Sequence, residues 1–283
     1  MKKILLLVLL LGLCITGCHS HSYETTVLAP SCEDEGFVLY RCECDYAYRD
    51  NITKPLGHDY EQQVVLPSYT AQGYTVHTCR RCGDAYTDTF TQMPSEVTAP
   101  MAQKDYLQPF DRFSRAREKN PEFVMVHFTS AVVLSRDDPY NMDLIRDIFE
   151  DYEVSVHYII DRDGLVRCYI PENLVAYHAG KGTWDDNPDY TNRLNDYAIG
   201  IELVAIGSEE DMAQYLTESQ YSQLDPDLIG FTDEQYTSLK ALVQDICVRN
   251  QIPLDREHII GHEEYSPAKT DPGELFDWSR ILS

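Results

Sequence analysis

Residues 154–170 read VSVHYIIDRDGLVRCYI, two apolar and β-branched runs either side of the turn Asp161-Arg162-Asp163-Gly164. Runs of this kind around a Gly-containing turn predict a β-hairpin. Outward from it, FVMVHF (123–128) is a continuous apolar run of buried-strand length, YAIGIELV (197–204) is another, and HIIGH (258–262) predicts a short last strand. Asn141 stands before an amphipathic helix with Leu144, Ile145, Ile148 and Phe149 on one side. Thr232 and Gln235 make a capping box for a second helix, which repeats Leu239, Leu242, Val243 and Ile246 at helical spacing. Pro272 suits the first turn of a closing helix over ELFDWSRIL (274–282). Strands alternating with helices predict an α/β fold, a central sheet covered on both sides, with residues 207–229 as an inserted surface excursion.

The 283 residues, 43% of them hydrophobic, are enough for one sizeable core plus smaller attachments. The first twenty, MKKILLLVLLLGLCITGCHS, have the layout of an export signal: two lysines, an apolar run short for a membrane span, then small residues before a cysteine. Ile15-Thr16-Gly17-Cys18 resembles the lipobox of bacterial lipoproteins. That resemblance implies a signal over residues 1–17, lipidation of Cys18, a tether over 18–29 and an extracytoplasmic protein anchored to the membrane by its lipid. An ordinary secretory signal or a retained hydrophobic anchor are the other readings. The formal net charge of −24 grows more negative still once Lys2 and Lys3 leave with the signal, so nucleic acid is excluded as a partner on charge.

Residues 30–95 hold five of the nine cysteines and an internal repeat. PSCEDEGFVLYRCECDYAY from Pro30 aligns with PSYTAQGYTVHTCRRCGDAY from Pro67, which puts Gly36 over Gly73, Cys42 over Cys79 and, after a one-residue gap, Cys44 over Cys82. The units resemble cysteine-rich repeats of surface proteins in Gram-positive anaerobes. Cys32, Cys42, Cys44 and His58 supply the first copy with enough ligands for a closed structural zinc site; disulfides are the competing reading in an oxidising compartment. In the second copy Tyr69 replaces the lone cysteine, so its site is broken unless His77 substitutes. Either way a region this small needs a staple. Residues 96–115, with MPSEVTAPMAQ leading into them, read as a linker, and the main domain runs over 116–283.

Three distant segments of that domain offer metal ligands at strand or loop ends: His127, His262 and Asp271. Two imidazoles and a carboxylate leave a fourth tetrahedral position open, the arrangement of a catalytic zinc. Glu202 is an acidic residue in an otherwise apolar strand, a costly placement unless a cation is near, and is the candidate general base. Lys269 can neutralise an oxyanion at the open face.

MVHFT, VSVHYIIDRDGLVRCYIPENLVAYHAGKGTW, AIGIELV, FTDEQYTSLKALV and IIGHEEYSPAKTDPGELFDW resemble, in that order, the zinc-dependent N-acetylmuramoyl-L-alanine amidases of the type 2 amidase family. The resemblance spans about residues 116–283. It implies a mainly mixed central sheet in the fold shared with T7 lysozyme and the peptidoglycan recognition proteins, one catalytic zinc on His127, His262 and Asp271, catalysis by Glu202 and Lys269, and a peptidoglycan or muropeptide substrate. Some relatives carry a catalytic tyrosine where this chain has Val156, which points to the glutamate-using branch. His178, in YHAGKGTW, matches a segment lining the substrate groove and is expected to touch substrate. His157 and His258 read as structural, and Cys168 and Cys247 as buried thiols. A non-catalytic peptidoglycan-binding protein and a zinc hydrolase of another muropeptide bond are the rival functions.

Overall fold

The computed structural model describes residues 20–93 and 95–282, so the export signal and the lipobox with Cys18 lie outside the described residues. Each repeat is a three-stranded sheet. The first is β1 (Tyr23–Leu28), β2 (Gly36–Cys42) and β3 (Ala47–Thr53); the second is β4 (Tyr60–Val65), β5 (Gly73–Cys79) and β6 (Ala85–Thr91). The glycines that anchor the repeat alignment have a steric reason. A Cβ on Gly36 would stand 2.5 Å from Pro30 Cδ, and one on Gly73 would stand 2.6 Å from Pro67 N, so each copy keeps its Pro and Gly in contact.

The chain divides into two compact units, residues 20–64 with 75–89 and residues 65–74 with 90–282. This corrects the expected boundary, and 96–115 is not a linker. It supplies β7 (Gln103–Lys104), α1 (Phe110–Phe113) and the first residues of β8 (Ser114–Ala116). Leu107 and Phe113 are fully buried, and the Ala99 amide donates to the Tyr158 hydroxyl at 2.7 Å. Apolar side chains in a Pro-rich stretch found a core to enter, which the lack of periodicity hid.

The larger unit is built on β9 (Phe123–Thr129), β10 (Tyr158–Ile160), β11 (Val166–Cys168), β13 (Ala198–Val204) and β14 (Ile259–Gly261), with β12 (Leu174–Ala176) pairing β8 separately. The six-stranded sheet runs β14-β9-β13-β10-β11-β7; β14, β9, β13 and β10 are mutually parallel and β11 antiparallel to β10, so the sheet is mixed. The hairpin forms as expected, but its ladder starts only at Tyr158: Ser155 and His157 direct their amides to Tyr177 and Gly200 instead.

The helices are α2 (Met142–Tyr152), α3 (Glu209–Met212), α4 (Glu218–Tyr221), α5 (Asp233–Asn250) and α6 (His262–Tyr265). Helix α5 covers one face with Tyr236, Leu239, Leu242, Val243 and Ile246 against Val124, Val126, Ile199 and Ile201. Its capping residue Gln235 also donates to the carbonyls of Ile160 and Val204 at 3.2 and 2.9 Å, pinning the helix start to β10 and β13. The 207–229 excursion forms α3 and α4 and closes a small core of Val132, Ile206, Met212, Leu216 and Leu224.

The expected closing helix is absent; residues 274–282 hold only a 3-10 turn at Trp278–Arg280. Asp277 accepts from Ser279 N at 3.0 Å and starts a fresh turn in mid-segment, while Phe276 and Ile281 enter the core at a spacing no regular helix provides. Among the described residues no helix is long and apolar enough to cross a membrane.

Candidate active site

Strands β9 and β13 place His127 opposite Glu202 near their carboxyl ends, and β14 delivers His262 at the first residue beyond its own. In a parallel sheet that edge is where ligands bind, because the strands stop and the loops diverge. Side chains alternate along a strand, so His127 lies on the face of Phe123 and Met125, away from α5. The loop after α6 returns Asp271 to the same point, held by the Glu263 amide donating to the Asp271 carbonyl at 2.9 Å.

Three atoms converge: His127 Nδ1 and His262 Nδ1 are 3.0 Å apart, and Asp271 Oδ2 is 2.9 Å from the first and 3.0 Å from the second. Ligands around tetrahedral zinc, at about 2.0–2.1 Å from the metal, stand roughly 3.3 Å from each other, so the triangle is within a few tenths of an ångström of a metal's demand. The donors fit chemically as well. His262 Nε2 faces the Ala179 carbonyl at 3.1 Å, and a carbonyl only accepts. Nε2 therefore carries the proton, and a neutral His262 turns its Nδ1 lone pair toward a carboxylate oxygen. Two lone pairs facing each other at that distance repel unless a cation sits between them.

His127 is held in the same way, with Nε2 3.1 Å from His178 Nδ1. The ring of His178, expected to touch substrate, lies beside His127, where its Nδ1 meets His127 Nε2 and orients the imidazole. Asn195 fixes this segment by accepting from the amides of His178 and Ala179 at 3.0 and 2.8 Å. Gly200 makes room for the ring, since a Cβ there would stand 2.6 Å from His178 Cγ. His157 is buried and structural, its Nδ1 accepting from Gly200 N at 3.0 Å; burial first, then the nearby Arg117 charge, depress its pKa. His258 is half-exposed and pairs with Asp255 at 2.7 Å. Cys168 and Cys247 are buried free thiols.

The charges separate strongly. Burial would raise the Asp271 carboxyl, but the imidazoles of His127 and His262 beside it hold it well below the usual carboxylate range. Burial, then the Asp271 charge, push Glu202 well above that range, with Lys269 acting in the opposite sense. Burial first, then the neighbouring His262 imidazole, bring His127 down to about 4, against the pull of Asp271. Four buried side-chain atoms lack a partner among the described residues, and three of them, Glu202 Oε2, His178 Nε2 and Glu263 Oε2, belong to residues at or beside the triangle. Glu263, next to His262, is pushed up to about 8 by burial, with Glu264 and Asp271 adding to it. Such atoms persist where something absent from the protein chain completes them.

Lys269 is exposed at the rim. The structure adds Tyr215, from the excursion, whose phenol is raised by burial and then by the charges of Asp271 and Glu202. Val156 is fully buried.

A family model described as N-acetylmuramoyl-L-alanine amidase matches residues 117–274, more than half of the chain. The chain belongs to that family. Among its curated members, the 1,6-anhydro-N-acetylmuramyl-L-alanine amidase AmpD of Haemophilus influenzae is 35% identical over 131 residues, covering 46% of this chain and 58% of the relative. The enzyme of the same name from Citrobacter freundii is 33% identical over 129 residues, covering 45% and 55%. This chain thus spans less than two-thirds of the length of either relative. A crystal structure of a selenomethionine derivative of AmpD superposes with a TM-score of 0.47 at 25% identity, over 67% of this chain and 97% of that one. The family segment contains all of His127, Glu202, His262, Lys269 and Asp271.

The remaining expected metal site is corrected. Cys32, Cys42, Cys44 and His58 do not converge; Cys32 and His58 gather with Cys79 and Cys82, while Cys42 and Cys44 gather with His21. The reason is the strand layout: Cys42 and Cys44 flank the turn at the end of β2, where β1 brings His21, and Cys32 lies before β2 at the other end. His77 does not substitute as a ligand: it joins neither of these groups, and its Nε2 meets Asp88 at 2.8 Å.

Proposed function

We propose that the protein is a zinc-dependent amidase that hydrolyses the bond between the lactyl carbonyl of N-acetylmuramic acid and the amine of L-alanine. The observation that carries this reading is the ligand triangle of His127, His262 and Asp271 facing a buried, unpartnered Glu202 oxygen. A zinc ion held by those three groups supplies Lewis acidity to the scissile carbonyl and lowers the pKa of a water molecule. Glu202 accepts the proton of the attacking water, and later delivers it to the departing nitrogen, so water's hydroxyl ends on the acyl carbon and its proton on the amine. Lys269 supplies positive charge to the oxyanion that forms between these steps. His178 and the Ala179 carbonyl fix the two imidazoles, so neither ring reorients during turnover.

The named activity of the curated relatives favours soluble fragments with a 1,6-anhydro-muramyl end as one substrate, against intact cell wall as the other. An extracytoplasmic, lipid-held location is part of the same proposal, resting on Ile15–Cys18; radiolabelled fatty acid recovered on Cys18 supports it, and an unmodified Cys18 in membranes contradicts it. Mass spectrometry of muropeptides and walls digested by zinc-loaded protein tests the reaction. Free stem peptides beginning at L-alanine are expected, lost on chelation. Cleavage elsewhere in the stem rejects it, and muropeptide binding without cleavage leaves the protein a recognition module.

A further inference from the structure

The repeat region has almost no apolar core. Apart from glycines, its buried residues over 20–93 are Cys32, Cys42, Cys79 and His77, and β3 is exposed along its whole length. A unit of this kind needs a covalent or metal staple to fold. Its buried centre is instead a cluster of sulfur and imidazole. We infer that Cys32, His58, Cys79 and Cys82 hold a structural, thiophilic divalent cation of the zinc type that ties the first repeat to the second.

The geometry has three parts. First, Cys32 Sγ and Cys79 Sγ are 3.8 Å apart, Cys82 Sγ is 3.4 Å from His58 Nδ1, and all four ligand atoms lie within 4.8 Å of one another. With metal–sulfur bonds of about 2.3 Å, a tetrahedral site has sulfur–sulfur edges of about 3.8 Å, which the cysteine pair matches. Second, the CRRCG turn is built as a ligand turn. Gly83, in the left-handed region at φ 77°, donates to the Cys79 carbonyl at 2.9 Å, and the amides of Asp59 and Arg81 both donate to Cys79 Sγ at 3.4 Å. Amides directed at a sulfur stabilise its thiolate, the form that binds metal. Third, His58 turns Nδ1 to the sulfurs while Nε2 lies 3.4 Å from the Glu33 carboxylate, the pairing that fixes a metal-binding imidazole.

The ligands also reveal the register of the array. His21 lies 21 residues before Cys42, as His58 lies before Cys79, and His21 Nδ1 is 3.3 Å from both Cys42 Sγ and Cys44 Sγ. Each unit therefore contributes its own histidine and its own cysteine pair, while its lone cysteine serves the set of the unit that follows. Cys32 does this for the second repeat. At the equivalent place in the last repeat stands Tyr69, where no further repeat needs a thiolate, and its hydroxyl donates to Glu172 at 2.7 Å. The substitution that made the second site look broken marks the end of the array.

Cobalt substitution of the full chain is the test, because sulfur-to-cobalt charge transfer appears only where thiolates bind and the amidase triangle has none. In a Cys42→Ser, Cys44→Ser protein the band should persist. It should fall by about a third on adding Cys32→Ser, one thiolate of three, and vanish on adding Cys79→Ser with Cys82→Ser. Asp271→Ala should leave it intact, which separates this inference from the amidase reading. In the unaltered chain, zinc should protect Cys32, Cys79 and Cys82 from alkylation, and a chelator should expose them. Absence of the band, indifference of the spectrum to Cys32→Ser, or a Cys32–Cys79 disulfide in protein purified with zinc would each overturn the inference.

Discussion

The amidase unit buries two sets of charged groups, and they are finished differently. Around Glu172, which is fully buried, every acceptor is used: Arg249 donates through both terminal nitrogens at 2.8 and 2.7 Å, Tyr69 donates at 2.7 Å, and Tyr158 adds a short hydrogen bond. Burial would raise this carboxyl, yet the Arg249 fork leaves it below its ordinary value. Arg117 beside it spends its donors on the carbonyls of Glu172, Asp196 and Ala198. Around His127, His262, Asp271 and Glu202 the opposite holds: lone pairs face each other and a carboxylate oxygen has no partner. A buried charge that is fully paired holds structure, whereas one left unpaired is held in place for something that arrives later.

Variants on the two sides must therefore fail in different ways. Asp271→Ala should have the largest effect, losing zinc and on the order of 10³-fold or more in kcat/KM, read by metal analysis and muropeptide hydrolysis. Glu202→Gln should keep zinc, lose about 10²–10⁴-fold in kcat, and raise Tm, since it removes an unpartnered buried carboxylate; zinc loss or a lower Tm would break the contrast. Lys269→Met should cost about 10²–10³-fold in kcat with zinc content and Tm unchanged. His178→Phe should weaken zinc binding by about 10–100-fold while activity at saturating zinc stays near normal. Glu172→Gln should have the smallest effect on chemistry and a large one on folding: about 3 kcal/mol lost in denaturant unfolding, with kcat retained by the folded fraction.

The sequence carried the triangle because its ligands sit where strands end, and a polar residue closing an apolar run is visible as such. His127 and Glu202 stand out in FVMVHF and GIELV for that reason. The same rule does not separate Glu202 from Glu172, since burial and partners decide their roles and both depend on residues about 70 positions or more away. His178 was legible as a site residue but not as the neighbour of His127 Nε2, because its position depends on the space left by Gly200. Tyr215 was illegible, coming from an excursion without periodicity. The cysteine groups are not legible within either aligned copy, because their grouping follows strand ends and crosses between copies. The closing helix failed on Asp277, whose side chain captures Ser279 N and ends any helical run.

Diffraction from crystals of the full chain grown with zinc, collected either side of the zinc absorption edge, puts the main assertion at most direct risk. An anomalous peak about 2.0–2.1 Å from His127 Nδ1, His262 Nδ1 and Asp271 Oδ2, with Glu202 facing its fourth position, is the result expected. A clean map at that point, with the two imidazoles hydrogen-bonded to Asp271 through their own protons, would contradict it.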